Sequence, residues 1–339
     1  MSATQDAVAS AAADAGSNEV SVVICSRNGL SRGFLDEALR SVQMQTLPAH
    51  EILLIDDASN DGTADYVRAR YPQVTVLHNA GVGLAGARNT GIRSARAPWV
   101  AFLDDDDIWC PGKLEEQLAQ ANASASPEAA IWASRFAIIR TYGGTPMACA
   151  TPLHFAQWPG CLLGCPVYPS GVLLHRNLLA RMGPLNEQIK EGSAYDYWIR
   201  CLRAGIPIHY SVDTLLHYRH HHPQMTVTSP KPGPSKHLDA LIAPYLEQLP
   251  PALANRMQAA RVLNTLRSLL AHAGIRAALQ YGIAIWPAPR AMVFFVLETL
   301  ACRAPVRMRP SLRQWAFQVL MGKDTSLPVA CGKMSDYST

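Results

Sequence analysis

The chain has 339 residues, of which 49% are hydrophobic and 17% charged, and this ordinary globular composition excludes fibrous, coiled-coil and wholly disordered classes. The 30 Lys and Arg residues against 26 Asp and Glu residues give a formal charge of +4, which is too small to indicate a nucleic-acid partner. Eight scattered cysteines exclude a small disulfide-rich domain and favour a reduced, cytosolic protein.

Apolar runs and helical patterns alternate over the first hundred residues, after an Ala- and Ser-rich start that predicts a disordered tail at residues 1–18. Strands are predicted at 20–25, 51–55, 74–77 and 99–103, helices at 34–45 and 63–71, and a glycine-rich turn entering a helix at 81–95. This alternation predicts an α/β fold with a mixed, mostly parallel sheet and helices on both faces. Ligands of such sheets bind at the carboxyl ends of the strands.

Beyond residue 129 the pattern becomes mixed, with apolar segments at 131–139 and 171–175, a helix around 195–204 and a strand from residue 206. A Pro-, Ser- and Gly-rich stretch predicts a linker, and a helical, Arg-rich extension follows it. The predicted organisation is a tail at 1–18, a catalytic domain at 19–227, a linker at 228–238, a basic helical region at 239–322 and a flexible tail at 323–339.

Four consecutive aspartates, Asp104 to Asp107, end the fourth predicted strand. Because adjacent like charges repel, stability alone does not explain this run. Asp104 and Asp106 at a strand end can present two carboxylates to one hard cation, Mg²⁺ or Mn²⁺, whose other coordination positions take diphosphate oxygens. The alternative is a solvated acidic turn.

The second predicted strand also ends in acids, Asp56 and Asp57. A carboxylate there can accept a hydrogen bond from a base N–H or a ribose hydroxyl. Capping of the helix at Thr63 is the alternative for Asp57, and it is the preferred interpretation for Asp61.

Residues 81–86 read GVGLAG and match G-x-G-x-x-G between a strand and a helix. The spacing alone would permit a dinucleotide-binding fingerprint. Against it, the motif lies in the second βαβ unit, and a run of four aspartates stands where the fingerprint has a single acid that binds the ribose. The other interpretation is a glycine turn whose helix start at 87–91 supplies N–H groups, with Arg88 available to sugar or phosphate oxygens.

Together these blocks resemble the inverting, nucleotide-sugar-dependent glycosyltransferase family 2, which has the A-type fold. The resemblance covers about residues 19–225, roughly two thirds of the chain. The matching text is VSVVICSRN at 20–28, EILLIDDASNDGT at 51–63, GARNTG at 86–91 and AFLDDDDIW at 101–109, followed by Pro111, Lys113 and Leu114.

The resemblance implies roles for individual positions. Asp57 and the first-strand end hold the nucleotide base, Asp104 faces the ribose, and Asp106 binds the metal on the diphosphate. The Tyr-Arg-x-His element of the family is matched at 218–221, so His221 is a candidate contact to the diphosphate or metal, with a solvated His-rich loop as the alternative. The implied nucleotide-binding residues are Cys25, Ser26, Arg27, Asp57, Arg88, Asp104 and Asp105.

The catalytic base is where this sequence departs from the family. The base usually lies in an acidic motif a few residues before Trp-x-Arg, but here that Glu-Asp pair falls on Ser193 and Ala194. Asp196 is the carboxylate remaining in the motif and is preferred, provided that it lies in the turn before the helix. Glu191 is the other candidate.

The expected function is an inverting transfer from a nucleotide-sugar donor to a glycan or lipid-linked acceptor in surface polysaccharide synthesis. A catalytically degenerate donor-binding subunit and a nucleotidyltransferase are the alternatives. Between residues 252 and 323 there are nine Arg and one Lys against a single acid, which favours contact with an anionic membrane over simple packing. The expected location is cytoplasmic, peripheral on the inner face of the plasma membrane, without a spanning helix.

Overall fold

The computed structural model describes residues 18–141, 146–149, 153–221 and 236–272. Within these residues nine strands form one mixed sheet. The strands are β1 (Val20–Ser26), β2 (Glu51–Asp56), β3 (Val74–His78), β4 (Trp99–Asp104), β5 (Ile108–Trp109), β6 (Ile131–Arg140), β7 (Met147–Cys149), β8 (Val172–His175) and β9 (Ile208–His220). The helices are α1 (Gly29–Arg32), α2 (Leu35–Gln43), α3 (Thr63–Arg70), α4 (Gly83–Ser94), α5 (Lys113–Asn122), α6 (Arg176–Met182), α7 (Ser193–Arg203), α8 (Lys236–Leu246) and α9 (Pro251–His272).

The strand order is β3-β2-β1-β4-β8-β6-β9-β5, with β7 paired to β6. Strands β3, β2, β1 and β4 are parallel, whereas β8 is antiparallel to both of its neighbours. Strand β6 is parallel to β9 over a bulged register. The α/β class and the mixed sheet are therefore confirmed, and the first four predicted strands agree with the structure to within one residue at each end.

The hydrophobic core explains why these segments adopt their structure. Every residue of β1 is buried, as expected of a parallel strand covered on both faces. Helix α2 buries Leu35, Ala38, Leu39 and Val42, which is the predicted i, i+3, i+4, i+7 stripe. The apolar pattern thus directs β1 and α2 into one core cluster, in which Leu39 and Val22 are both fully buried.

The chain divides into two compact units, one of Met1–Thr151 with Pro166–His221 and one of Pro152–Cys165 with His222–Thr339. The first unit contains the sheet. In the second, Arg261 Nη1 donates to the Leu162 carbonyl at 2.7 Å and so attaches α9 to a short 3-10 turn. Helix α8 begins inside the segment predicted as a linker, and the domain boundaries stay a prediction.

The C-terminal part of the chain lies mostly outside the described residues, so the predicted basic region is represented by α8 and α9 alone. None of the helices in the described part of the chain combines the length and apolar character that crossing a bilayer requires. The tails predicted at the two ends and most of the Pro-rich stretch fall on residues outside the description.

Candidate active site

The predicted acidic clusters meet at the carboxyl edge of the parallel strands. In the sheet register Cys25 of β1 lies beside Asp104 of β4, and Ser26 lies beside Asp56 of β2. The two clusters are about fifty positions apart in the sequence, and β1 brings them together because it pairs with both strands. This edge is where an open α/β sheet binds its ligands.

Asp104 and Asp106 each contact a nitrogen-bearing side chain from another part of the chain. Arg88 Nη2 lies 2.6 Å from Asp104 Oδ1, and His221 Nε2 lies 2.9 Å from Asp106 Oδ2. Both partners are buried, since the side chains of Arg88 and His221 are 4% and 2% exposed. Four of the predicted site residues are thus assembled in two contacts, an ion pair between Arg88 and Asp104 and a hydrogen-bond contact between His221 and Asp106.

Asp105 and Asp107 point into the protein. Asp105 Oδ2 accepts from Ser26 Oγ and from Arg32 Nη2, both at 2.5 Å. Asp107 accepts from Ser170 Oγ at 2.6 Å and from the backbone N–H of Arg219 at 2.9 Å. These two carboxylates therefore fix neighbouring segments, whereas Asp104 and Asp106 face the edge of the sheet.

Burial and mutual repulsion raise the pKa values of Asp105, Asp106 and Asp107. Burial raises the pKa of Asp105 to about 7, against the opposing effects of Arg32 and Ser26. The pKa of Asp106 is raised by burial and by the charge of Asp104, and that of Asp107 is raised further by burial and by Asp106. A cation bound at this edge would relieve the repulsion between these carboxylates.

The donor set fits a divalent metal that is completed by a ligand. Among the described residues no group of three or more His, Cys, Asp and Glu side chains could hold a metal by itself. Asp106 and His221 nevertheless place a carboxylate oxygen and an imidazole nitrogen 2.9 Å apart, beside the carboxylate of Asp104. Oxygen and imidazole donors suit Mn²⁺, and diphosphate oxygens would supply the remaining ligands.

Asp57 is held by the end of the neighbouring strand β3. Its Oδ1 accepts from Asn79 Nδ2 at 2.6 Å, and its backbone N–H donates to the Ser26 carbonyl at 2.8 Å. Asp61, in contrast, accepts from the backbone N–H of Thr63 at 3.1 Å at the start of α3. The capping interpretation thus applies to Asp61, although the N-cap position itself is Gly62.

The glycine turn is shaped by close packing within itself. A Cβ at Gly86 would lie 2.6 Å from the carbonyl carbon of Gly81, and Gly83 has φ +60°. The prediction that α4 starts at Ala87 is wrong, because the helix begins at Gly83. Residues 87–91 lie inside the helix, where N–H groups bond to carbonyls four residues earlier, and only the Arg88 side chain remains available at that point.

Glu187 supports the glycine turn, and the sequence motifs did not indicate it. Its Oε2 accepts from the Val82 N–H at 2.9 Å, and its Oε1 accepts from Asn89 Nδ2 at 2.8 Å. These hydrogen bonds, from Asn89 first and then from Val82, lower the pKa of the Glu187 carboxyl. Glu187 is 105 residues from Val82, so no local sequence signal could have paired them.

The base candidates lie on α7 and the loop before it. The expectation that Asp196 lies in the turn before the helix is wrong, because α7 begins at Ser193 and includes Asp196 in its first turn. Asp196 Oδ2 accepts from Arg200 Nε at 3.0 Å, and Arg200 also donates to the carbonyls of Met182 and Pro184. Glu191 is exposed, just before the N-cap Gly192.

Cys25 and Arg27, two further predicted nucleotide-binding residues, differ in which of their groups a nucleotide could contact. Cys25 is 5% exposed, and burial raises the pKa of its thiol to about 12, so the thiol is protonated and inside the core. Its backbone is the part that lies at the strand end. Arg27 is exposed, and its carbonyl accepts from Arg32 Nη2 at 3.0 Å.

Comparisons with known proteins give the same family as the motifs. The family model described as "Glycosyl transferase family 2" matches residues 21–148. The chain is 38% identical over 104 residues to the putative teichuronic acid biosynthesis glycosyltransferase TuaG of Bacillus subtilis, covering 29% of this chain and 40% of that protein. It is 41% identical over 88 residues to the succinoglycan biosynthesis protein ExoW of Rhizobium meliloti, covering 24% and 28%.

The fold also matches solved structures of S. aureus TarS. The TarS 1–349 chain in complex with UDP has a TM-score of 0.52 at 16% identity, with 89% of this chain and 88% of that chain covered. The chain spans 35% to 66% of the length of two further relatives, uncharacterized glycosyltransferases of Rickettsia felis and Rickettsia prowazekii. The residues matched by the glycosyl transferase family 2 model, 21–148, include both acidic clusters at the edge of the sheet, so this part of the chain is similar to that family.

Proposed function

We propose that the chain is an inverting glycosyltransferase that moves a sugar from a nucleoside diphosphate donor to a glycan or lipid-linked acceptor in surface polysaccharide synthesis. The observation that carries the proposal is the edge formed by Asp104, Asp106, Arg88 and His221, of which the first three lie within the residues that the family model matches. The printed names of the relatives, teichuronic acid and succinoglycan biosynthesis, support the class of product. TarS complexes with UDP and UDP-GlcNAc support the class of donor.

In this proposal the chain's own residues position the donor. Asp57, held by Asn79, accepts from the base, and Asp104 accepts from the ribose. Asp106 and His221 would hold Mn²⁺ or Mg²⁺, and a bound cation would neutralise charge on the leaving diphosphate. Arg88 carries a second positive charge to the same place, since it is ion-paired with Asp104.

The acceptor hydroxyl requires a base as the sugar C1 inverts in one displacement. We assign this role to Asp196, with Glu191 as the alternative. Arg200 fixes the direction of the Asp196 carboxylate, whereas Glu191 is exposed on the loop. A base held in one direction can meet the acceptor without first being ordered.

A second candidate function is donor binding without transfer. It is favoured by Ser193 and Ala194, which stand where the family usually has its Glu-Asp pair, and by the position of Asp196 inside α7. The nucleotidyltransferase alternative loses support, because Lys113, the first lysine of the sequence, is fully buried and donates to the Val172 carbonyl. A lysine in the core cannot bind a triphosphate.

The chain's location is part of the proposal. We place it at the cytoplasmic face of the plasma membrane, where a lipid-linked acceptor would be available. The support is the charge of residues 252–323, which contain nine Arg and one Lys against one acid.

A donor-hydrolysis assay tests the function. UDP-, GDP- and dTDP-sugars are each incubated with the full chain with and without Mn²⁺, and free nucleoside diphosphate is measured. Turnover of one donor, lost in EDTA and in Asp106→Asn with the fold retained, is the expected result. Donor binding by calorimetry without turnover would support the second candidate, and full activity in EDTA would exclude the metal assignment.

A further inference from the structure

Arg32 lies at the acidic edge on a short helix that the family motifs do not include. Helix α1 is bounded by two residues with positive φ, Asn28 at 54° and Gly33 at 77°. The Ser31 N–H and hydroxyl both donate to Asp61 Oδ2 at 2.8 Å, which ties α1 to the loop before α3. Arg32 is therefore presented from a backbone that is fixed on both sides.

The guanidinium of Arg32 reaches two of the four aspartates. Its Nη2 lies 2.5 Å from Asp105 Oδ2, and its Nη1 lies 4.0 Å from Asp106 Oδ2. The second oxygen is the one that His221 contacts from another direction at 2.9 Å. Arg32 thus joins Arg88 and His221 at the place assigned to the diphosphate.

Arg32 also has donor capacity that the protein does not use. Its Nε is buried without a hydrogen-bond partner among the described residues, while the side chain as a whole is 29% exposed. Arg219, another arginine of the cluster, differs in that its side chain is 7% exposed and engaged by Glu37 and the Asp106 carbonyl. A buried donor without an acceptor is costly, and a ligand oxygen would remove that cost.

We propose that Arg32 is a further donor-binding residue whose guanidinium contacts the diphosphate of the bound nucleotide. The inference rests on the proposed function, since it names a contact at the same site. A purely structural role would be to neutralise Asp105. That role leaves the position of Nη1 near Asp106 unexplained, and Asp105 already accepts from Ser26. The forked guanidinium can bond a carboxylate and a phosphate together.

Calorimetry with UDP and with uridine, both in Mn²⁺, separates a phosphate contact from a structural one. We expect Arg32→Gln to weaken UDP binding by about 10- to 100-fold, the range for a lost charge-assisted hydrogen bond, and to leave uridine binding unchanged. Arg32→Lys keeps the positive charge but lacks the forked guanidinium, so its affinity for UDP should lie between those of Arg32→Gln and the unchanged chain. Arg70→Gln, an exposed arginine on α3, is the matched control for loss of one positive charge.

Two results would overturn the inference. Equal UDP affinity in Arg32→Gln and the unchanged chain would show that the side chain does not touch the phosphates. An equal fractional loss for UDP and uridine in both Arg32 variants would show that Arg32 acts only by supporting Asp105. Failure of the proposed function is distinct, because it would appear as no binding of UDP, GDP or dTDP by the unchanged chain.

Discussion

The four aspartates that follow β4 have four different surroundings, and exposure separates them into two pairs. The side chains of Asp104 and Asp106 keep 26% and 13% exposure, whereas Asp105 keeps 5% and Asp107 is 1% exposed. The alternation follows from the chain turning at the strand end, where Asp107 N–H donates to the Asp104 carbonyl at 3.1 Å. Two of the acids are therefore accessible to a ligand, and two hold neighbouring segments of the chain.

Asp61 gives a pH-dependent prediction at this scale. Burial raises the pKa of Asp61, but the hydrogen bonds from Thr63 and Ser31 outweigh it and lower the pKa below the ordinary value. A depressed pKa stabilises the fold above the unfolded value of about 4, and this contribution is lost as the pH falls below it. We expect Asp61→Ala to cost about 1 kcal/mol at pH 7 and clearly less near pH 3.

Urea unfolding at the two pH values measures this difference. Asp65→Ala is the control, because the Asp65 side chain is 90% exposed and its pairing with Arg68 is at the surface. A gap between the unchanged chain and Asp61→Ala that stays constant from pH 7 to pH 3 would contradict the assignment of these hydrogen bonds to the ionised carboxylate.

The base assignment gives a second prediction at the residue scale. Asp196→Asn should abolish sugar transfer and leave donor binding nearly unchanged, because a base acts on the acceptor and not on the nucleotide. Glu191→Gln should have the smaller effect. Transfer is followed with the donor found by the hydrolysis assay, and circular dichroism checks the fold, since Asp196 also bonds Arg200 at 3.0 Å.

The opposite order of effects would move the base to Glu191 and leave the family unchanged. If both variants transfer sugar at the original rate, neither carboxylate is the base and the inverting mechanism itself fails. No transfer by the unchanged chain, with donor binding intact, is the result that the second candidate function requires.

At the scale of elements, the accuracy of the sequence predictions follows the length of the pattern. Strands such as β1 and β2 carry uninterrupted apolar runs, and α2 shows a full helical stripe, so each was predicted close to its observed bounds. Helix α1 has four residues and β5 has two. Segments of this length are too short to show a periodic pattern of apolar residues. Arg32 lies on α1, so the sequence pattern did not indicate its position at the site.

Helix α4 gives a prediction at this scale, because it packs on the sheet through a glycine. A Cβ at Gly91 would lie 2.2 Å from Val23 Cγ1, and Val23 is fully buried in β1. Gly91→Ala gains up to about 1 kcal/mol of helix propensity. The overpacking costs roughly 1–3 kcal/mol, so we expect a net loss of stability.

Urea unfolding of Gly91→Ala and Gly112→Ala tests the packing argument. A Cβ at Gly112 meets nothing within 4 Å, and the residue has φ −86°, so this control should be neutral or slightly stabilising. If Gly91→Ala is as stable as the unchanged chain, α4 can move away from β1 and the contact does not fix the helix.

At the scale of the whole molecule, the site joins segments that are distant in the sequence. Arg219 and His221 of the ninth strand region meet Asp106 and Asp107 across more than 110 residues, and Glu187 meets Asn89 across 98. The strand-end acids could be predicted because the βαβ rule places such ends on one edge. Arg219 and Glu187 could not, because no local pattern in the chain specifies the β8-β6-β9 order, in which β6 is antiparallel to β8 and parallel to β9.

The basic C-terminal stretch concerns the whole molecule, because it would determine whether the chain binds to a membrane surface. Residues 252–323 contain nine Arg and one Lys against one acid, whereas the remainder of the sequence is net acidic. Each basic residue near an anionic leaflet contributes about 1 kcal/mol, and salt screens the attraction over about 8 Å at physiological ionic strength. We therefore expect the full chain to sediment with phosphatidylserine vesicles and to be released as salt is raised.

Replacing Arg303, Arg307 and Arg309 together with Gln should weaken this binding steeply, because the three charges lie within seven positions of each other. Replacing Arg68, Arg70 and Arg93 with Gln removes the same charge from the sheet-containing unit and is the matched control. Vesicles of phosphatidylcholine alone distinguish charge from apolar contact. Equal sedimentation with both kinds of vesicle, unaffected by salt and by the first triple variant, would leave the stretch with a packing role and remove the support for a membrane location.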